Sequence, residues 1–241
     1  MEVSSEVIVL HVLKYSDEAN IAEVLSREYG RMSFFVRISQ SRKASLKCSL
    51  FQPMAQLRLT WNNNSKSQMQ RVKQAHTSVM FASIPYIPDK IAIAMFVAEF
   101  LRHAVRGTED VKSVFDYTAS SMQWLDACEC GYANFHLAYL LKLSLFLGFS
   151  PDTRGYSSGM YFDLSNSCFT FEKPSAGDFL EPSDAASLPT LMRMSYPTMR
   201  FFKFTREQRA RLLKFINEYY SIHLPGFPGM KSLDVLGEVF S

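Results

Sequence analysis

Apolar and polar residues change rhythm once along the chain, near residue 85. Before that point short runs alternate with a period of two, the spacing that turns successive side chains to opposite faces of a strand. Val3–Tyr15 is a long run rich in Val and Ile that stops at the turn signal Ser16-Asp17-Glu18. Ile21–Ser26 predicts a second strand, and Tyr29-Gly30-Arg31 supplies a tight connection to a third, Met32–Ile38. In that third strand Met32, Phe34, Val36 and Ile38 share one face, and Ser33, Phe35 and Arg37 the other. A polar, basic loop, Ser39–Ser49, leads to Ala55–Trp61, where Leu57, Leu59 and Trp61 alternate with Arg58 and Thr60 until Asn62-Asn63-Asn64 breaks the run. Met69–Met80 is a weaker fifth candidate. Five short strands separated by turns predict a small closed barrel, for which OB-type and SH3-like arrangements are both solutions.

Pro85 and Pro88 then punctuate the chain, and the period becomes helical. Ile91–Val105 is apolar nearly all round, as a helix at a domain centre is. Val111–Ala127 and Phe135–Leu147 are further helices, the latter stopped by Gly148 with Pro151 just beyond. Residues 152–189 are rich in Gly, Ser, Pro and Asp and predict an irregular insert with extended pieces at Met160–Leu164 and Cys168–Phe171. Thr205 with Gln208 three residues on forms a capping box that opens a helix from Arg206 to about His223. Leu212, Leu213, Ile216, Tyr219 and Tyr220 line its apolar side, and Lys231–Phe240 is a last short helix. The fold class expected is α+β and multidomain. A five-stranded OB-type barrel over 1–80 is followed by a connection at 81–88 and an α-helical domain over 89–241.

Charge adds a second layer. The net charge of +3 conceals +5 over residues 1–80, −6 over 81–192 and +4 over 193–241. Between Glu28 and Asp89 there is no acidic residue, yet there are nine basic ones: Arg31, Arg37, Arg42, Lys43, Lys47, Arg58, Lys66, Arg71 and Lys73. A surface of one sign repels itself and is suited to an opposite charge, a polyanion above all, because neutralised phosphates release counterions. A solvated face kept for solubility is the alternative. Phe35 shares its face with Ser33 and Arg37 and is the candidate platform for a stacked base, although aromatic residues on barrel strands also fill cores.

A second basic cluster, Arg193 to Lys214, includes Arg200, Lys203, Arg206, Arg209 and Arg211 against Glu207 alone. Arg206 and Arg209, three apart, are expected on one helix face away from Leu212 and Ile216. That face suits a nucleic-acid track, an acidic peptide or plain solvent.

Enzyme chemistry finds little footing. Gly155-Tyr156-Ser157-Ser158-Gly159 matches the nucleophile-elbow pattern, but that motif needs a strand before it and a helix after it, and the order here is reversed. Cys128-Glu129-Cys130, with Cys168 and a histidine, could in principle hold a metal, but the paired Cys-x-x-Cys knuckles of structural zinc are missing. The five histidines are scattered, and no phosphate loop is present. Four irregular cysteines, apolar runs short of a bilayer span and no evident signal peptide lead to the expectation of a reducing, cytoplasmic setting without a membrane.

The order of motifs resembles the bacterial RecO family of recombination mediators. Val7-Ile8-Val9-Leu10-His11, Lys14-Tyr15-Ser16-Asp17 and Ser26-Arg27-Glu28-Tyr29-Gly30-Arg31 are similar to its opening. Leu140-Leu141-Lys142-Leu143-Ser144-Leu145-Phe146-Leu147-Gly148-Phe149-Ser150-Pro151 resembles its Leu-Leu helix ending in Gly-Phe-x-Pro. Tyr219-Tyr220-Ser221-Ile222-His223-Leu224 and Lys231-Ser232-Leu233 are similar to its closing segment.

This resemblance implies an OB-fold joined to a helical domain, and a non-enzymatic protein that binds single- and double-stranded DNA and anneals complementary strands. It also implies partnership with RecR and with single-stranded-DNA-binding protein, and loading of RecA. Backbone contact is then expected from Arg31, Arg37, Arg42, Lys43, Lys47, Arg71 and Lys73, with Arg27 joining unless Glu28 or Glu23 neutralises it, and base contact from Phe35. The acidic tail of the coating protein would dock at Arg102 with Arg106, or at Arg200, Lys203, Arg206 and Arg209. Many relatives carry a Cys-x-x-Cys zinc module just after Gly-Phe-x-Pro. Here Asp152–Pro174 holds only Cys168, so the expectation is that the metal is lost and no cofactor is used.

Overall fold

A computed structural model describes residues 1–37, 48–64, 66–106, 108, 110–175, 178–228 and 230. The predicted helix Lys231–Phe240 and the loop cations Arg42, Lys43 and Lys47 lie outside the described residues. Two compact units divide the chain, Met1–Ala127 and a second beginning at Cys128.

The first unit opens with five strands: β1 (Glu2–Ser16), β2 (Ala19–Ser26), β3 (Gly30–Arg37), β4 (Gln56–Asn62) and β5 (Met69–Val79). They close into a barrel in the order β1-β2-β3-β5-β4, with β4 returning to β1. All pairings are antiparallel except β3 with β5, where Ser33, Phe34 and Phe35 lie beside Met69, Gln70 and Arg71. This order selects the OB-type barrel over the SH3-like one.

The alternation seen in the sequence holds in β3, where Phe34 and Val36 are buried and Phe35 and Arg37 are not. Phe34 meets Trp61 edge-on at 5.2 Å between ring centroids, and Val7, Val24, Leu57 and Leu59 complete the interior. Full burial of side chains of this size stabilises by about 2–3 kcal/mol each. The second and third strands start earlier than predicted, at Ala19 and Gly30, because both flanking residues join the antiparallel ladder.

Helix α1 (Pro88–Ala104) begins with proline at its first turn, where the missing N–H costs nothing, and buries Phe96, Val97, Phe100 and Leu101. Helix α2 covers Val111–Ala127. Strands give way to helices at 81–88, but the compact unit extends through α2. The reason is a clamp at Asp126. Its carboxylate accepts the backbone N–H groups of Ala82, Ser83 and Ile84, each at 2.8 Å. Burial raises the Asp126 carboxyl, and the three amides, Ile84 foremost, outweigh that and lower it. Lys90, almost fully buried, donates to the Ser83 hydroxyl at 2.7 Å and to the Asp126 carbonyl at 3.0 Å. The expected connection is thus tied down at both ends.

In the second unit the tyrosines of α6 (Arg206–His223) donate hydrogen bonds to α3 (Phe135–Phe146) and to the segment that follows it. Tyr220 donates to the Leu140 carbonyl at 2.7 Å, and Tyr219 to the Phe149 carbonyl at 2.6 Å. The Thr205–Gln208 capping box opens α6 as the sequence indicates. The insert is more regular than expected. β6 (Tyr161–Asp163), β7 (Cys168–Thr170) and β8 (Phe179–Leu180) form a three-stranded antiparallel sheet, followed by the short helices α4 (Pro182–Ala185) and α5 (Leu188–Met192). Phe162 of β6 is fully buried against Phe169, Phe215 and Tyr219, which gives the sheet its own apolar anchor.

Gly131 precedes α3 at φ +76°, and a Cβ there would stand 2.8 Å from the Arg200 Cβ. Among the described residues no helix is long and apolar enough to cross a membrane.

Candidate nucleic-acid interface

The antiparallel register sets which side chains share the outer face of the barrel. Leu13 of β1 pairs with Ile21 of β2, Ile21 with Phe35 of β3, and Phe35 with Arg71 of β5, so four strands place these residues in one row. Tyr15 follows Leu13 by two positions and stays on the same side. Its ring meets the Phe35 ring edge-on at 5.9 Å and 74°, and the Arg71 guanidinium lies 5.7 Å from the Phe35 centroid on the other flank. Tyr15 is 66% exposed and Leu13 56% exposed. Phe35, half-buried, therefore belongs to a surface cluster and not to the barrel interior.

The run of cations without an acid does not remain a field of one sign in space. Carboxylates from outside the run meet it, two from the neighbouring β2 hairpin and two from the start of the chain in β1. Arg31 donates to Glu23 at 2.7 Å. Arg58 pairs with Glu6 and Lys73 with Glu2, each at 2.5 Å, and Arg37 reaches Glu18 more loosely at 3.4 Å. Arg27 is held by Asp116 of α2 through two bonds of 2.6 and 2.9 Å, with Glu28 farther off at 3.8 Å, so neither carboxylate named in the sequence reading is its main partner.

Glu23 is the most engaged of these acids. Arg102 of α1 grips both its oxygens, Arg31 takes one of them as well, and the hydrogen bonds hold the carboxyl down to about 2. Arg102 is accordingly occupied within the first unit, while Arg106 is exposed. Burial lowers the pKa of nearby His11 and His103, helped by Arg102 for the first and Arg106 for the second. Among the described residues of the run, Arg71 and Lys66 have no carboxylate partner.

On the second unit the basic cluster divides. Arg200, Lys203 and Arg206 are exposed, and the Arg200 guanidinium lies 4.8 Å from the centroid of the exposed Phe201 ring. Arg209 departs from its expected place. It donates to the Phe204 carbonyl at 2.7 Å, half-buried, in line with Leu213, Ile216 and Tyr220 at helical spacing. Its charge, after burial, lowers the pKa of the buried His136 to about 3. Arg211, a member of the basic cluster but not one of the expected docking residues, lines with Phe204, Gln208, Leu212, Phe215, Leu180 and Asp184 a groove of about 450 Å³.

The glycine-flanked Ser157 sits in a turn, with Gly155 at φ +73° and Gly159 at φ +87°, and its N–H points at the Met160 sulfur 3.2 Å away. Strand β6 follows it, the reverse of an elbow. Cys168, exposed, is the one cysteine in 152–174, and the residues there do not fit the four-ligand set of a structural zinc. Among the described residues no three His, Cys, Asp or Glu side chains are grouped to hold a metal. Cys128 donates to the Cys130 carbonyl at 3.1 Å.

Comparison with known proteins agrees with the two-part architecture. The family described as Recombination protein O N terminal matches residues 1–81, and Recombination protein O C terminal matches residues 87–234. A relative from Bacteroides fragilis, called DNA repair protein RecO, is 46% identical over 234 residues, 97% of each chain. Proteins of the same name from Phocaeicola vulgatus and Porphyromonas gingivalis are 44% identical over 97% of each chain and 32% identical over 100%. With both halves matched and relatives similar from end to end, the chain belongs to the RecO family of recombination and DNA repair proteins.

Proposed function

We propose that this chain is a non-enzymatic, cytoplasmic mediator of DNA repair and recombination whose barrel grips the DNA backbone and helps complementary strands anneal. The observation that carries the reading is the Tyr15–Phe35–Arg71 cluster on the outside of an OB-type barrel, where an arginine without a carboxylate partner among the described residues lies beside the half-buried Phe35 ring, which in turn meets the exposed Tyr15. The relatives' name, DNA repair protein, supports the same role.

A positive surface lowers the repulsion between two phosphate backbones and leaves base edges free to pair. Arg71 and Arg37 are the described cations best placed for this. Arg42, Lys43 and Lys47 are assigned to the same track from the sequence. Arg27, Arg31 and Lys73 have a lesser part because carboxylates already engage them. No metal enters the scheme; the buried Phe162 anchors the sheet of the second unit through its contacts with Phe169, Phe215 and Tyr219.

Neutralisation of about five phosphates gives a slope of log affinity against log salt near −3.5 for single strands. A salt titration of the purified chain on an oligonucleotide, with annealing measured on strands coated by single-stranded-DNA-binding protein, tests this. A flat salt response, or annealing no faster than without the chain, overturns it.

A second reading makes the chain chiefly an adaptor, with RecR and the coating protein as partners. The groove between Leu180 and Phe215 favours it, since Phe204, Leu212 and Arg211 in its lining suit a peptide with an aromatic end and acidic residues, although Asp184 also lines it. An Arg211→Glu variant that retains the tail peptide would remove this groove from consideration.

A further inference from the structure

Exposed aromatic residues on the outer face of a small barrel need a reason. The Tyr15 ring leaves two-thirds of its surface to water, and Leu13 beside it more than half, although the barrel interior is filled without them. Leu13 stands in one row with Phe35 and Arg71 across β1, β2, β3 and β5, and the Tyr15 ring packs edge-on against Phe35. Arg37, two residues beyond Phe35, extends the cationic edge, and its pairing with Glu18 at 3.4 Å is between side chains each more than three-quarters exposed. An apolar partner surface would gain nothing from these guanidinium groups, and a purely electrostatic one would not need the rings. A ligand with flat apolar faces and regularly spaced negative charge uses both.

We infer that Tyr15 and Phe35 form a stacking step for unpaired bases, with Arg71 taking the adjoining phosphate, so that this face favours single strands over duplex. The inference rests on the DNA-binding reading above and adds what that reading lacks, a source of selectivity. Phosphate contact is common to both forms of DNA. In a duplex the base faces are already covered by their neighbours, so only an unpaired strand can place a base on Tyr15 or exchange one for Arg71 against Phe35. Each stacked base is expected to strengthen binding by about tenfold, with no dependence on which base it is.

The test compares three ligands of equal length for the full chain: oligo-dT, an abasic strand with the same phosphates and no bases, and a blunt duplex. The wild type is expected to bind oligo-dT at least about tenfold more tightly than the abasic strand. Tyr15→Ala with Phe35→Ala should lose that margin on oligo-dT and change the other two affinities by less than about twofold. A Tyr15→Trp variant guards against misfolding as the explanation, because it keeps a stacking ring and its emission should be quenched by oligo-dT and not by the abasic strand. Equal affinity of the wild type for oligo-dT and the abasic strand, an equal loss on all three ligands, or an unquenched Tyr15→Trp overturns the inference. Binding of none of the three overturns the DNA-binding reading itself.

Discussion

The guanidinium of Arg102 holds the Glu23 carboxylate through two hydrogen bonds of 2.8 Å, one to each oxygen, across 79 residues of sequence. This pair fastens α1 to the second strand of the barrel, and it draws Arg31 into the same charge cluster. A cation that would otherwise face solvent is thereby fixed by an acid that cannot be spared.

Glu23→Gln should cost about 2 kcal/mol of stability at neutral pH, since charged hydrogen bonds are lost and two arginines are left facing a neutral amide. The sign with pH follows from the lowered carboxyl. Its folded value of about 2 lies below the ordinary 4.5, so the stability it contributes is present above pH 4.5 and is lost as pH falls toward 2. Urea denaturation from pH 6 to pH 3 should show a steeper acid decline for the wild type than for the variant.

Arg71→Glu and Arg31→Glu should separate binding from folding. Reversal at Arg71, which has no carboxylate partner among the described residues, should weaken DNA binding about tenfold or more and reduce the salt slope by about one, with the melting temperature little changed. Reversal at Arg31 sets a carboxylate against Glu23 and should show first as a lower melting temperature. The two measurements on the two variants check this directly.

Asp126→Ala removes the acceptor of three backbone amides at once. The expected loss is about 2–3 kcal/mol, because groups left without partners cost more than the bonds that satisfied them. Amide hydrogen exchange at Ala82, Ser83 and Ile84 should quicken in the variant well beyond the rest of the first unit.

Gly131→Ala and Gly155→Ala offer a matched pair. Both positions have positive φ, +76° and +73°, but a Cβ at Gly131 would stand 2.8 Å from the Arg200 Cβ, whereas at Gly155 nothing lies within 4 Å. Backbone strain alone should cost about 1 kcal/mol at Gly155, and the clash should raise the loss at Gly131 to about 3 kcal/mol. Thermal melts of the two variants rank them.

Local features were legible in the sequence for local reasons. The alternation Met32, Phe34, Val36 gave the buried face of β3, and Thr205 with Gln208 gave the start of α6, because a strand period and a capping box are written within a few residues. Val111–Ala127 likewise matches α2 at both ends. What stayed hidden depends on register. Nothing near Glu23 in the chain indicates that Arg102, 79 positions on, will grip it, and Asp116 lies 89 positions from Arg27. Tyr15 could not be ranked above other aromatic residues until the pairing of β1, β2 and β3 placed it next to Phe35. For Arg209 the inward side is written locally, in the helical spacing to Leu213, Ile216 and Tyr220, and the three-residue spacing to Arg206 does not carry it. Strand β8, of two residues, is too short to leave any periodic trace.

The parallel pairing of β3 with β5 that completes the barrel also removes one route of self-association from this part of the molecule. A sheet that returns to its own first strand presents no row of unused amides for a second copy to zip onto. The barrel can therefore meet a companion only through the side chains of its outside wall, whereas the open sheet of the second unit keeps β7 and β8 as edges.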